Sequence, residues 1–307
     1  MHYARLVLTD VVADYSICAR VVDRQFKFDD DTKDEILEIL WNVADFCGVL
    51  VLDHCIMDNH FHLEVRVQPQ DTPVSKDTVL KRVGILYGEK KKQEIKEELK
   101  ARKEAGDENG AKVILDPFRK RMNDLSEFMK TFKQRITMSY NFAHHRTGTL
   151  WEGRFRSTLI ERTHNLDLLR NVAAYFDLNP MRAGIVDAPE RYRWCGFGLA
   201  QMKGIRGARA RKGLALLYPG EKEEVFLAKH RQLLLARFQK KGKNEPKPKD
   251  GAGLDQDYSK RHSPMSCSRI LGSRYFVMRI MGKNPPGGFI SLADGYVAVG
   301  RERKYRA

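Results

Sequence analysis

The stretch Cys55-Ile56-Met57-Asp58-Asn59-His60-Phe61-His62-Leu63-Glu64-Val65 decides the fold, because it holds the turn of a β-hairpin. Apolar runs at residues 50–57 and 60–67 flank the polar pair Asp58-Asn59, which predicts two antiparallel strands. Successive side chains of a strand point to opposite faces. His60 and His62 should therefore share one face, while Phe61 turns toward a core.

The two histidines are the first candidate site. Two neutral imidazoles side by side provide half of a divalent-metal site. The same pattern is also typical of two ordinary strand histidines, and taken alone it favours that interpretation. Alternation places Glu64 on the histidine face as well, where it could tune a metal or ligate it.

The surrounding pattern predicts an α+β fold. A strand at Asp14–Val22 precedes a helix whose start is marked by Thr32 and Glu35, and the hairpin follows. Further along come a helix at Asp124–Phe142, a basic strand at Thr149–Glu161 and a helix at His164–Leu178 that Pro180 stops. This order favours a ferredoxin-like antiparallel sheet with helices on one face.

The pattern also suggests domain limits. We expect one domain over residues 1–198, with a charged helical insertion at about 79–121, and a basic C-terminal extension over 199–307. The extension contains a helix at Glu221–Lys240 and a linker at about 241–258 that is rich in Lys, Pro and Gly.

Composition limits the class of protein. The 307 residues are 42% hydrophobic, and they include neither a long apolar run nor the pattern of a signal peptide. The five cysteines are scattered without Cys-x-x-Cys spacing, which is typical of reduced thiols in a cytoplasmic protein.

Charge is distributed unevenly. Residues 1–200 sum to zero, so residues 201–307 carry the whole net charge of +15. Within the first part, residues 119–156 hold nine basic side chains against three acidic ones. Such a surface suits a polyanion, although a solvated basic tail without a specific ligand would give the same totals.

The last helix of the first domain carries two more candidates. Tyr175 and Asn179 are four residues apart and therefore share a helix face, so a phenol and a carboxamide could point together. Tyr175 could instead be a core residue, since Leu168 and Val172 lie on the same face. Asn179 precedes a proline and could simply end the helix.

Five segments together resemble the REP-associated tyrosine transposases, single-tyrosine insertion-sequence transposases within the HUH (His, hydrophobic, His) endonucleases. The resemblance covers residues 13–198 in family order. The matching segments are Val21–Arg24, Asp45–Val49, Cys55–Leu63, Gly148–Ser157 and Tyr175–Gly184.

The resemblance implies a mechanism and roles for residues. Members of the family cut single-stranded DNA beside hairpins and form a 5′-phosphotyrosine, with Mg²⁺ or Mn²⁺ as cofactor. Tyr175 would be the nucleophile, with His60, His62 and Asn179 as metal ligands. The implied protein is a cytoplasmic, nucleoid-associated transposase, monomeric or homodimeric, with no membrane partner. Basic side chains expected to contact DNA are Arg154, Arg156, Lys133, Arg135 and Arg182.

Two other functions stay open at this stage. The chain could bind nucleic acid without cutting it, retaining only the fold and the basic surface. It could also be a metal-dependent hydrolase that uses water as nucleophile, in which case the Tyr175 hydroxyl would be dispensable.

Overall fold

The computed structural model describes residues 5–164, 166–242, 268–283, 285, 289–292 and 296–299. Residues 243–258 of the predicted linker lie outside these ranges. The strands are β1 (Ala13–Arg20), β2 (Leu50–Ile56), β3 (His60–Val67), β4 (Arg156–Ile160), β5 (Ile270–Gly272), β6 (Phe289–Ser291) and β7 (Val297–Val299). The helices are α1 (Asp30–Cys47), α2 (Lys76–Tyr87), α3 (Glu89–Glu104), α4 (Gly110–Arg119), α5 (Leu125–Ala143), α6 (Asp167–Asp177), α7 (Asn179–Arg182), α8 (Gly196–Ala200), α9 (Gly204–Ala215), α10 (Glu223–Gly242) and α11 (Arg274–Met281).

Four strands form the predicted antiparallel sheet. Their order is β2-β3-β1-β4, and each neighbouring pair is antiparallel. With α1 between β1 and β2, and helices between β3 and β4, this is the ferredoxin-like arrangement. The predicted α+β class is confirmed.

The C-terminal part of the chain extends this sheet. Strand β5 pairs in parallel with β4, and β7 and β6 follow it, so that the described residues form a mixed sheet of seven strands. Helix α10 also reaches the first part of the chain, where His230 bonds to Asp177. The domain limits proposed from sequence stay a prediction, but the residues on the two sides of position 198 pack together.

Helices cover both faces of the sheet, not one as the sequence suggested. Phe61 packs against Phe132 of α5, with ring centroids 5.2 Å apart. On the opposite face His62 stacks on Phe176 of α6 at 4.9 Å. The alternation of β3 directs Phe61 to one face and His62 to the other, so the two faces of the strand contact different helices.

The apolar face of the sheet supplies the core. Tyr15, Ile17, Phe61, Leu63 and Val65 are all fully buried there. Burying one such side chain contributes about 1.5–3 kcal/mol. This layer therefore holds β1 and β3 firmly in register.

The N-cap of helix α1 lies three residues earlier than predicted. The Asp29 side chain, not that of Thr32, caps the helix by accepting a hydrogen bond from the Thr32 backbone N–H at 2.9 Å. The charged insertion begins with α2, which contacts α1 and buries Val79 and Val83. Among the described helices, none combines the length and apolarity that crossing a membrane requires.

Candidate functional site

The second face of the sheet is unusually polar. Strand register places Arg20 beside His60, and Cys18 and Cys55 on either side of His62. Two residues after His62 on β3, Glu64 lies between Ser16 of β1 and Asp53 of β2, and all three side chains are buried. Directly opposite residues of neighbouring strands share a face, so these groups form one continuous polar layer beneath α6.

Hydrogen bonds define which nitrogen of His60 is free. The Asn59 side chain donates from Nδ2 to the Arg24 carbonyl at 3.0 Å, so its Oδ1 must be the atom that lies 2.6 Å from His60 Nδ1. A carboxamide oxygen only accepts, so His60 Nδ1 carries the proton. The lone pair is then on Nε2, as a metal ligand requires.

His62 is also suited to ligation. Its ring lies 5.0 Å from that of His60, and its buried Nδ1 makes no hydrogen bond to a described residue. Burial lowers the pKa of His62 to about 3. Burial and the neighbouring His62 also hold the pKa of His60 well below its usual value. Both imidazoles are therefore neutral near pH 7.

Helix α6 brings the predicted nucleophile to this pair. The Tyr175 ring is half-buried and lies 6.0 Å from the His62 ring in an edge-on arrangement. The Arg182 guanidinium lies 5.2 Å from the centre of the Tyr175 ring and donates to the Tyr175 carbonyl. A cation is thus fixed beside the phenol.

The donors present fit a divalent metal. Asn179 begins α7, and its buried side chain lines the same cavity as His60. Its Nδ2 and both Glu64 oxygens are buried without a hydrogen bond to a described residue. Imidazole nitrogens are common donors to divalent transition metals, and an amide oxygen is a donor that also suits Mn²⁺ and Mg²⁺. Within the described ranges no three His, Cys, Asp or Glu side chains cluster as a metal site, and the third expected donor, Asn179, is not one of those residue types.

The predicted DNA contacts fall into two groups. Lys133 donates to the Gly153 carbonyl at 2.7 Å, and Arg135 donates to the Leu86 carbonyl at 2.9 Å, so both brace α5 against neighbouring segments. Burial lowers the pKa of Lys133 to about 8. Arg154 and Arg156 are exposed, and Arg156 shares the histidine face through its pairing with Cys18.

Three residues of the site were missed in the sequence. Arg20, Arg24 and Asn59 line the cavity together with His60. Asn59 is adjacent to His60 in the chain and could have been recognised as its orienting partner. Nothing in the local sequence marks Arg20 or Arg24, because strand pairing and a turn bring them to the histidines.

Asp53 is a buried carboxylic acid beside the site, and its effect on stability should depend on pH. Asp53 is fully buried, and neither carboxylate oxygen makes a hydrogen bond of normal geometry to a described residue. Burial, with the charges of Asp177 and Glu64, raises the pKa of Asp53 well above its usual value. The stability that this group contributes is fully present below its unfolded pKa of about 3.9 and is lost as pH rises through the folded value.

We therefore expect Asp53→Asn to stabilise the protein by about 1–2 kcal/mol at pH 8 and by progressively less toward pH 4. Urea unfolding across this pH range measures the difference. Asp10→Asn, at an exposed position, is the matched control and should show no such trend. A constant difference between Asp53→Asn and wild type would contradict the raised pKa.

The chain matches no family model and no curated protein. One solved structure, a REP-associated tyrosine transposase bound to a REP hairpin, is similar over 67% of this chain and 93% of that one. The two are 12% identical and align with a TM-score of 0.41, values at which the likeness establishes neither family nor activity.

Proposed function

We propose that the chain is a metal-dependent endonuclease and strand transferase that acts on single-stranded DNA beside hairpin-forming, REP-like sequences. The observation that carries the proposal is the contact between His62 and Tyr175, at 6.0 Å between rings, on a face where His60 presents an unprotonated nitrogen. A nucleophile and two metal-ligand candidates thus lie within one side-chain layer.

The reaction is a transesterification. Tyr175 Oη loses its proton and bonds to phosphorus while the bond between phosphorus and the 3′ oxygen breaks. The 3′ oxygen takes up a proton, so the products are a 5′-phosphotyrosine and a free 3′-hydroxyl. The phosphodiester count is unchanged, so a new 3′-hydroxyl can reverse the step and join strands without ATP. A bound Mg²⁺ or Mn²⁺ supplies electrostatic stabilisation of the charge that builds on the phosphate oxygens. His60, His62 and Asn179 would hold it.

Arg182 has a supporting role in this scheme. Its guanidinium is fixed beside the Tyr175 ring and remains positively charged in the whole physiological range. In the proposed reaction it would attract a phosphate toward the phenol and stabilise negative charge as the bond forms. Arg154 and Arg156 would contact the phosphates that flank the cleaved one.

The test is an adduct assay. A labelled single strand flanking a hairpin is incubated with the protein and Mg²⁺ or Mn²⁺, and covalent complexes are separated on a denaturing gel. We expect an adduct that falls at least about 100-fold in EDTA and in His60→Gln. His145→Gln, at an exposed loop position, is the control and should retain activity.

The other outcomes identify the other functions. Hairpin binding without an adduct under any metal would favour a protein that binds nucleic acid and does not cut. Cleavage that releases a free 5′-phosphate without a covalent intermediate would favour a hydrolase. An adduct that forms equally well in EDTA would contradict the metal dependence.

A further inference from the structure

A cavity of about 290 Å³ opens beside His60. We name it the Arg24 pocket. Its volume is just below the range for ligand pockets, roughly 300–1,000 Å³. It is large enough for part of a nucleotide and too small for a duplex. The lining residues that carry the argument are Arg20, Arg24, Phe26, Asp58, Asn59 and His60.

The Arg24 pocket is electropositive. Arg20 and Arg24 are half-buried, and within the described ranges neither guanidinium has a hydrogen-bond or ion-pair partner. Asp58, the acid in the lining, is paired with Lys33 at 2.6 Å. Its charge is therefore offset, and the two arginines are available to a ligand. A guanidinium matches the geometry of a phosphate, which it can bind through two hydrogen bonds.

An aromatic ring lies at the rim of this pocket. Phe26 is 70% exposed, although its neighbour Phe28 is fully buried in the core. Single exposed aromatic residues are common and need no explanation by themselves. Beside two unpaired arginines, however, an exposed ring offers a stacking platform next to a phosphate site, which is the arrangement that single-stranded nucleic acids use.

The backbone of the pocket is preformed. Asp23 and Arg24 adopt left-handed φ values of 54° and 55°, which are uncommon for residues other than glycine. The Asn59 side chain holds this turn by donating to the Arg24 carbonyl, and the Asn59 carbonyl accepts from the Val21 N–H at 2.9 Å. The same carboxamide orients His60. Asn59 thus supports the backbone of the pocket and orients His60, a proposed metal ligand that lines it.

From these observations we infer that the Arg24 pocket binds one unpaired nucleotide next to the phosphate that is cut. Its base stacks on Phe26, and its phosphate is bound by Arg20 and Arg24. This inference rests on the proposed function, because it assigns the position of the substrate relative to His60. It makes the pocket a selector for single-stranded DNA, since a paired base could not reach the ring.

Binding measured in EDTA tests the inference apart from the chemistry. Fluorescence anisotropy is recorded for the full chain with hairpin-flanked single strands in which one abasic site is moved through the unpaired positions. We expect Phe26→Ala to weaken binding of the intact strand by roughly 5- to 100-fold. One abasic position should weaken binding to wild type by a similar factor, with no further loss when combined with Phe26→Ala.

The matched control is Phe142→Ala, because Phe142 is 87% exposed on α5 and away from the pocket. It should bind every strand as wild type does. Arg24→Gln should weaken binding of all sequences and reduce the salt dependence by about one phosphate contact. Thermal unfolding of Phe26→Ala should match wild type, which separates lost stacking from misfolding.

Additive losses at every abasic position, or no loss in Phe26→Ala, would overturn the inference. If the loss at one abasic position is non-additive with Phe26→Ala in EDTA, but no adduct forms with any metal, the inference about the pocket stands and the proposed chemistry fails. If an adduct forms but the binding losses are additive at every abasic position, the proposed chemistry stands and the inference about the pocket fails. The two proposals therefore fail separately.

Discussion

Tyr175→Phe should abolish the covalent DNA adduct and reduce cleavage by roughly 10³-fold or more. The substitution removes one oxygen atom, the atom that would bond to phosphorus, and leaves the ring that packs 6.0 Å from His62 and beneath Arg182. Hairpin affinity in EDTA should be unchanged within a factor of about two, because phosphate and base contacts dominate binding. The measurements are the denaturing-gel adduct assay and anisotropy on the same protein preparation.

Tyr275→Phe is the matched control. Tyr275 is 75% exposed on α11 and lies on the far extension of the sheet, so loss of its hydroxyl should change neither assay. An adduct that survives Tyr175→Phe would show that another group is the nucleophile. Unchanged strand cleavage without an adduct would instead show that water performs the attack, with the histidines retained as metal ligands.

His230→Ala should cost about 3–5 kcal/mol of stability. His230 is fully buried and connects two other buried groups: Nε2 lies 2.9 Å from Asp177 Oδ2, and Nδ1 lies 3.0 Å from the Tyr218 hydroxyl. In this arrangement Nε2–H donates to the carboxylate, and Nδ1 accepts from the hydroxyl. Removing the imidazole leaves an uncompensated carboxylate oxygen and a lost hydrogen bond in the interior.

Urea unfolding at neutral pH measures the loss, as a lower midpoint at an unchanged slope. His164→Ala is the matched control, because His164 is exposed and its replacement should stay within about 0.5 kcal/mol of wild type. A loss below about 1 kcal/mol for His230→Ala would contradict the connecting role. Asp177 comes two residues after Tyr175, so the same variant should also lower adduct formation by loosening the end of α6.

Local periodicity was sufficient to predict the hairpin and the faces of its side chains. The turn at Asp58-Asn59, the inward direction of Phe61 and the shared face of His60 and His62 all follow from the two-residue repeat of a strand. The contact of His62 with Tyr175 could not be predicted from helix spacing, which defines a face of α6 but not the surface on which that face packs. The catalytic and ligand roles stay predictions.

The features that local periodicity did not predict depend on contacts between residues far apart in the chain. His230 lies 53 residues from Asp177, and no local pattern marks either as a partner of the other. The covering of the second sheet face was missed for a related reason. The sequence pattern predicted helices on one face only, whereas Phe176 and its neighbours in α6 also cover the polar face of β3.

The pairing of β5 with β4 has a consequence for the order in which the molecule assembles. The buried bond from the Thr158 hydroxyl to the Ser268 carbonyl joins residues 110 positions apart. Pairings of such long sequence separation form slowly, because loop closure is unfavourable until many contacts exist. During synthesis the first four strands can pair while β4 still presents an unpaired edge, the kind of edge through which chains associate. Arrival of β5 closes that edge, so translation rate and temperature should influence the yield of folded protein.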